Sequence, residues 1–204
     1  MMPFKFLRHA WTSFRILPAL LLAAALPILN GCVGAAVGAG AVAGLAVYEE
    51  RPMKVIARDT KIATELRVAL LEESEQHFTK IGIEAFEGRV LLTGAVDSEK
   101  MRADAVRLAW KMDNVKDVLN EITIGSNSLT ETAKDSWITA QLTSIMTFDK
   151  DIHAINYSIE TVAGTVYLIG IAQDQAELDR VTAHARGVGY VRKVISHVRV
   201  KTAK

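Results

Sequence analysis

The stretch Gly88-Arg89-Val90-Leu91-Leu92-Thr93-Gly94 recurs as Gly164-Thr165-Val166-Tyr167-Leu168-Ile169-Gly170, at an offset of 170 − 94 = 76 residues. In both copies a glycine opens a turn, apolar residues alternate after it, and a second glycine follows. Period-two apolarity bounded by glycines predicts a half-buried strand leaving a tight hairpin. The turn pairs are Glu87-Gly88 and Ala163-Gly164, where glycine supplies the positive φ such turns need. The offset continues without a gap from Asp59/Asp135 through Ile62/Ile138, Leu66/Leu142 and Ile83/Ile159 to Ala109/Ala185, Val115/Val191 and Val118/Val194. A gapless register over about seventy residues makes the chain a tandem of two homologous domains.

Each repeat predicts the order α-β-β-α-β. In the first, Asp59 reads as an N-cap, and Ile62, Leu66, Ala69 and Leu70 form one face of an amphipathic helix. Strands follow at Ile81–Phe86 and Arg89–Val96. Asp97-Ser98 caps a second helix that turns Met101, Ala105, Leu108, Ala109 and Met112 inward, and Val115–Ile124 closes as a third strand. In the second repeat Asp135 reads as the cap, with Ile138, Leu142, Ile145 and Met146 inward, and Asp174-Gln175-Ala176-Glu177 has the spacing of a capping box. The expected class is α+β, two tandem domains, each a small three-stranded mixed sheet packed by two helices. The expected limits are 59–124 and 135–204, with a linker at 125–134 short enough for the domains to touch.

Ahead of the repeats, Lys5, Arg8 and Arg15 precede an apolar run from Ile16 to Leu29. The run is short for a bilayer span and has the pattern of an export signal, over residues 1–31. It ends at Leu29-Asn30-Gly31-Cys32, and Cys32 is the single cysteine of the chain, so an internal disulfide is excluded. Leucine at minus three and glycine at minus one resemble a bacterial lipobox, with Asn30 a departure at minus two. Cys32 is therefore the expected lipidation site, and an acylated residue there anchors the chain to a membrane. Residues 32–58 read as a tether, opening with an Ala/Gly/Val tract over Val33–Val47.

The D-x-x-I-x-x-x-L helix opening, the G-x-V-x-L-x-G hairpin and the A-x-x-x-x-x-V-x-x-V ending resemble the BON domain. Two of them behind a lipobox cysteine resemble the dual-BON outer-membrane lipoproteins. The glycine usual before the valine of the last strand is Asn114 in one copy and Tyr190 in the other. The resemblance implies binding to membrane phospholipid, a role in envelope integrity, and no enzymatic activity. The absence of aspartate after Val33 fits the outer membrane, with the protein facing the periplasm.

The repeats differ where a function can hide. Lys61, Glu65, Val68 and Glu72 flank the first helix of repeat one; their counterparts are Trp137, Gln141, Ser144 and Phe148. From Asp59 to Glu73 six residues are charged, whereas from Asp135 to Phe148 only Asp135 is. An exposed tryptophan in a thinned charge shell suits an interfacial membrane contact; packing against repeat one or the tether is the competing expectation. Repeat one (59–128) has thirteen acids against nine Lys/Arg, and repeat two (135–204) seven against eight, with Lys134 just ahead of it. The expected lipid-facing set is Lys134, Trp137, Gln141, Ser144 and Phe148, with anionic phospholipid as partner. The alternative is an adaptor that docks an outer-membrane assembly protein through the same helix.

Catalytic chemistry finds no support. With Cys32 committed there is no thiol nucleophile, no Gly-x-Ser-x-Gly elbow occurs, and Gly88, Gly94, Gly164 and Gly170 flank hairpin strands rather than a phosphate loop. His77 and His153 fall in the expected helix-to-strand turns, His184 on a half-buried helix position, and His197 on an outward strand face. Nothing in their spacing gathers a metal site, so no metal or cofactor is expected. Net charge of +1 gives no pull toward nucleic acid.

Overall fold

The computed structural model describes residues 49–202. Cys32, the signal-like segment and the Ala/Gly/Val tract lie outside the described residues. The first domain comprises α1 (Met53–Glu73), α2 (Glu75–Lys80), β1 (Ile81–Phe86), β2 (Arg89–Val96), α3 (Glu99–Ala109), β3 (Asp117–Asn120) and β4 (Thr123–Ile124). The second comprises α4 (Leu129–Phe148), a 3-10 turn (Ala154–Asn156), β5 (Tyr157–Val162), β6 (Thr165–Ala172), α5 (Gln175–Gly187) and β7 (Lys193–Val200). Both sheets are mixed: the hairpin is antiparallel, and the last strand returns parallel to its second strand. The first sheet differs in that its last strand is broken at Glu121-Ile122, so β3 and β4 pair with β2 separately. No helix among the described residues is long and apolar enough to cross a membrane.

The helix starts differ from expectation. Asp59 and Asp135 are not caps but sit buried inside α1 and α4. The helices begin earlier, α1 behind Pro52 and α4 behind Ser128, whose hydroxyl and Glu131 form a complete capping box. The tether therefore turns helical at Met53, and only 125–128 separates β4 from α4. The aspartates have another task, closing the hairpins. Asp59 accepts from the amides of Glu87 (2.7 Å) and Gly88 (2.8 Å). Asp135 accepts from Ala163 (2.8 Å) and Gly164 (2.8 Å). Both residues of each turn have positive φ, +55° and +79° in the first and +49° and +74° in the second, and such a turn aims two adjacent amides at one acceptor. A charge-assisted bond to a carboxylate contributes about 1.5–3 kcal/mol, so each helix is clamped to its hairpin.

The expected box at Asp174 is half formed. Asp174 accepts from the Glu177 amide at 2.8 Å, but the Glu177 carboxylate turns to the amides of Gln173 and His153, both at 2.6 Å. His77 lies buried within α2 rather than in a turn.

Each domain has its own core between sheet and helices, built on Ile62, Leu66, Leu70, Val90 and Leu92 in the first and Ile138, Leu142, Met146, Val166 and Leu168 in the second. A third cluster joins the two domains: Phe86, Leu91, Tyr167, Ile169 and Ile171 are buried where the opposite faces of the two sheets meet. The central strands β2 and β6 are thus covered on both sides, which is why they carry near-continuous apolar runs. Arg89 donates to the His197 carbonyl at 2.8 Å, His197 meets Glu121 at 2.9 Å, and Arg199 pairs with Glu87 across this seam. The segment ahead of α1 also spans it. Glu50 engages Asn156 (2.9 Å), Gln173 (2.8 Å) and Lys201 (2.7 Å) of the second domain. Arg51 pairs with Asp59 at 3.0 Å and stacks 3.8 Å over the Phe86 ring.

Candidate functional site

Helix α4 buries Ile138, Leu142 and Met146, which leaves the opposite side to solvent. Lys134, Trp137, Gln141, Ser144 and Phe148 are all exposed. Spacings of three and four residues put them on one face, over about 21 Å of helix at 1.5 Å per residue. Trp137 is 44% exposed and Phe148 86%. From Ser136 to Phe148 no residue is charged.

The polar side chains on this helix are largely spent internally. Ser136 donates to the Thr132 carbonyl (3.0 Å), Thr143 to Thr139 (2.8 Å) and Thr147 to Thr143 (2.7 Å). Those hydroxyls lie beside the Trp137–Phe148 face and are bonded to carbonyls four residues back. With no charge from Ser136 to Phe148, the face itself enters an apolar phase at lower desolvation cost than α1, whose flank carries Lys61, Glu65 and Glu72.

Trp137 packs within its own domain. Its ring meets Tyr190 of its own domain edge-on, with centroids 5.6 Å apart, and Lys134 Nζ lies 5.5 Å over the Tyr190 ring. Tyr190 has φ +68° and is 66% exposed. A bulky residue in the left-handed region costs of order 1–3 kcal/mol. Asn114, its repeat counterpart, has the same φ of +68° and is a residue that tolerates it. The backbone therefore asks for glycine or asparagine, and the second domain carries an aromatic there that its core does not use.

Tyr190 is the residue of this candidate site that periodicity missed. The signal for it was the departure from glycine at this position. A cleft lies beside the ring, lined by Glu131, Lys134, Ile138, Gly164, Tyr190 and Arg192 among others. Lys134 and Arg192 bring two cations to it; Glu131, held below its usual carboxylate range by hydrogen bonds from Ser128, brings one anion.

The hairpin glycines have distinct geometry. At Gly94 and Gly170 a Cβ would fall 2.1 Å from the Lys80 carbonyl oxygen and 2.2 Å from that of Asn156, so no side chain fits where β2 and β6 cross the start of the preceding strand. The three histidines of the second domain separate: His153 faces Glu177 (3.4 Å), His184 faces Asp149 (2.7 Å) and His197 crosses to Glu121. His197 thus points outward from its own sheet, as expected, but into the seam rather than into solvent. Hydrogen bonds from Arg180 and His184 hold the Asp149 carboxyl far below its ordinary range.

Comparison with known proteins fits this architecture. The family model of the BON domain matches residues 58–126 and again 134–202. The chain is 45% identical to an uncharacterized protein in the gshII 5' region of Anaplasma centrale, over 67% of this chain and 93% of that one. It is 30% identical to the outer membrane lipoprotein DolP of Haemophilus influenzae, over 88% of this chain and 95% of that one. Osmotically-inducible protein Y of Escherichia coli is 25% identical over 70% of this chain and 73% of its own length.

Proposed function

The chain belongs to the BON domain family, and from that premise we propose that it is an outer-membrane lipoprotein that faces the periplasm, binds anionic phospholipid through its second domain and supports envelope integrity. The observation that carries the reading is the exposed face of α4: Trp137 and Phe148 on a helix with no charge from Ser136 to Phe148, flanked by Lys134 and the strained Tyr190. Aromatic rings of this kind settle at headgroup depth, and basic residues beside them add about 1 kcal/mol each on an anionic leaflet. The roles divide accordingly. Trp137 and Phe148 supply buried area, Gln141 and Ser144 a neutral polar bed between them, and Lys134 with Arg192 the attraction to phosphate. The similarity to an outer membrane lipoprotein over nearly the whole chain supports location and anchoring through Cys32, and the reading needs no cofactor and no catalysis.

The test is co-sedimentation of the 49–204 fragment, which lacks Cys32, with phosphatidylcholine vesicles and with vesicles containing phosphatidylglycerol. Binding to the second kind alone is expected, falling as salt rises. A folded fragment that pellets with neither would move this face to the adaptor role, with an outer-membrane assembly protein as its partner.

A further inference from the structure

We propose that the seam between the two domains is a pH-governed joint, closed by a proton shared between Glu84 and Glu160. The two glutamates are counterparts in the repeat, and strand register puts both on the seam side. Glu84 pairs with Leu91 across the first hairpin and Glu160 with Tyr167 across the second, and residues paired across antiparallel strands share a face. Leu91 and Tyr167 are both seam residues. The Glu160 carboxylate reaches the first domain's β1, where its Oε2 would lie 3.9 Å from a Cβ at Gly82, two residues before Glu84. Two carboxyl groups therefore face each other between packed apolar sheets.

Two like charges in such a place cannot both ionise cheaply. Burial pushes both carboxyls up, Glu160 to about 7 with Glu84 as its second cause. The charged and polar groups around them are few: Arg67 of α1 acts on both, Arg51 of the leading segment and the Ser158 hydroxyl of β5 act on Glu84, and all three favour ionisation without cancelling the burial cost. An open seam returns both groups to water and to the ordinary carboxyl range. Between that range and about pH 7 the closed seam holds a proton that the open one has released. Its contribution is complete at acid pH and is lost as pH rises through about 7. Acid locks the two domains; alkali frees the second domain to move and bares Leu91, Tyr167 and Ile169.

Methyl-resolved NMR of the full chain in detergent micelles at pH 5.5 and 8.5 tests this. The Leu91, Ile169 and Ile171 methyls are expected to be sharp at pH 5.5 and exchange-broadened or shifted at 8.5, while Leu66 and Leu142 in the separate cores stay unchanged. In the Glu84→Gln, Glu160→Gln double variant, seam methyls should be insensitive to pH. Carboxyl carbon titration of the wild type supplies a readout free of mutation, with at least one of the two glutamates expected to titrate near pH 7. Seam methyls that do not respond to pH, an equal response in the double variant, or two carboxyls titrating in the ordinary range would each overturn the proposal.

Discussion

Asp135, in the interior of α4, accepts the backbone amide of Gly164 at 2.8 Å across a sequence separation of 29 residues. The helix that carries Trp137 and Phe148 is thereby fixed in rotation against the hairpin beside which Tyr190 and Arg192 stand. Asp59 and Gly88 repeat the arrangement in the first domain at 2.8 Å, where the flank is charged. The clamp is therefore a property of the fold, and the aromatic face is what the second copy added to it.

Removing the clamp strands two amides in a tight turn. Asp135→Ala is expected to destabilise the second domain by about 2–4 kcal/mol, read as a lower midpoint in urea unfolding followed by circular dichroism. A midpoint equal to wild type would mean that water replaces the carboxylate without loss.

Gly170→Ala should be costly for a different reason. Its Cβ would fall 2.2 Å from the Asn156 carbonyl oxygen, backbone that moves only if the strand start moves, so a loss of about 3 kcal/mol is expected. Gly94→Ala should do the same to the first domain. Unchanged thermal unfolding in either variant would contradict the close crossing.

Tyr190→Gly should part stability from binding. Glycine relieves the left-handed strain, so the fold gains about 1 kcal/mol, while the Trp137 ring loses its edge contact and vesicle affinity drops. Thermal unfolding and co-sedimentation on the same preparation read both. A variant less stable than wild type would show that the tyrosine serves packing.

Trp137→Glu should leave folding nearly intact, since Lys61 stands at the same place in the first domain. Burial of the indole is worth about 1–3 kcal/mol, so binding to phosphatidylglycerol vesicles should fall roughly tenfold or more. Phe148→Glu should act likewise and Lys61→Glu should not. If Trp137→Glu unfolds the domain, the ring is a packing element and the membrane reading of α4 is lost.

Cys32→Ser should abolish incorporation of labelled palmitate and leave unprocessed precursor in the cell. A wild-type protein that takes up no label would end the lipoprotein assignment.

Much of this molecule was legible from its residues, because the rules involved are local. Glycine-bounded alternation placed β1, β2 and their copies, and helical periodicity picked Ile62, Leu66, Ile138 and Leu142 for the cores. The flank that sets Trp137 and Phe148 apart was visible too, because a duplicated chain carries its own control. Asp59 and Asp135 were misread for an equally physical reason: an aspartate near a helix start is locally a cap, and nothing nearby in sequence shows that its acceptors face a turn some 28 residues on. The same holds for Tyr190, whose departure from glycine was plain but whose contact with Trp137 spans 190 − 137 = 53 residues. Sequence alone determined the two domains, most of their elements and their cores, since periodicity reports which side of an element is apolar. It showed neither the short α2 nor the break of the expected Val115–Ile124 strand into β3 and β4. Only the tertiary structure decided what the second apolar side of each sheet was for. Period-two patterning marks a buried face but cannot name its partner, and it took the packing of sheet on sheet to bring Glu84 to Glu160 and His197 to Glu121.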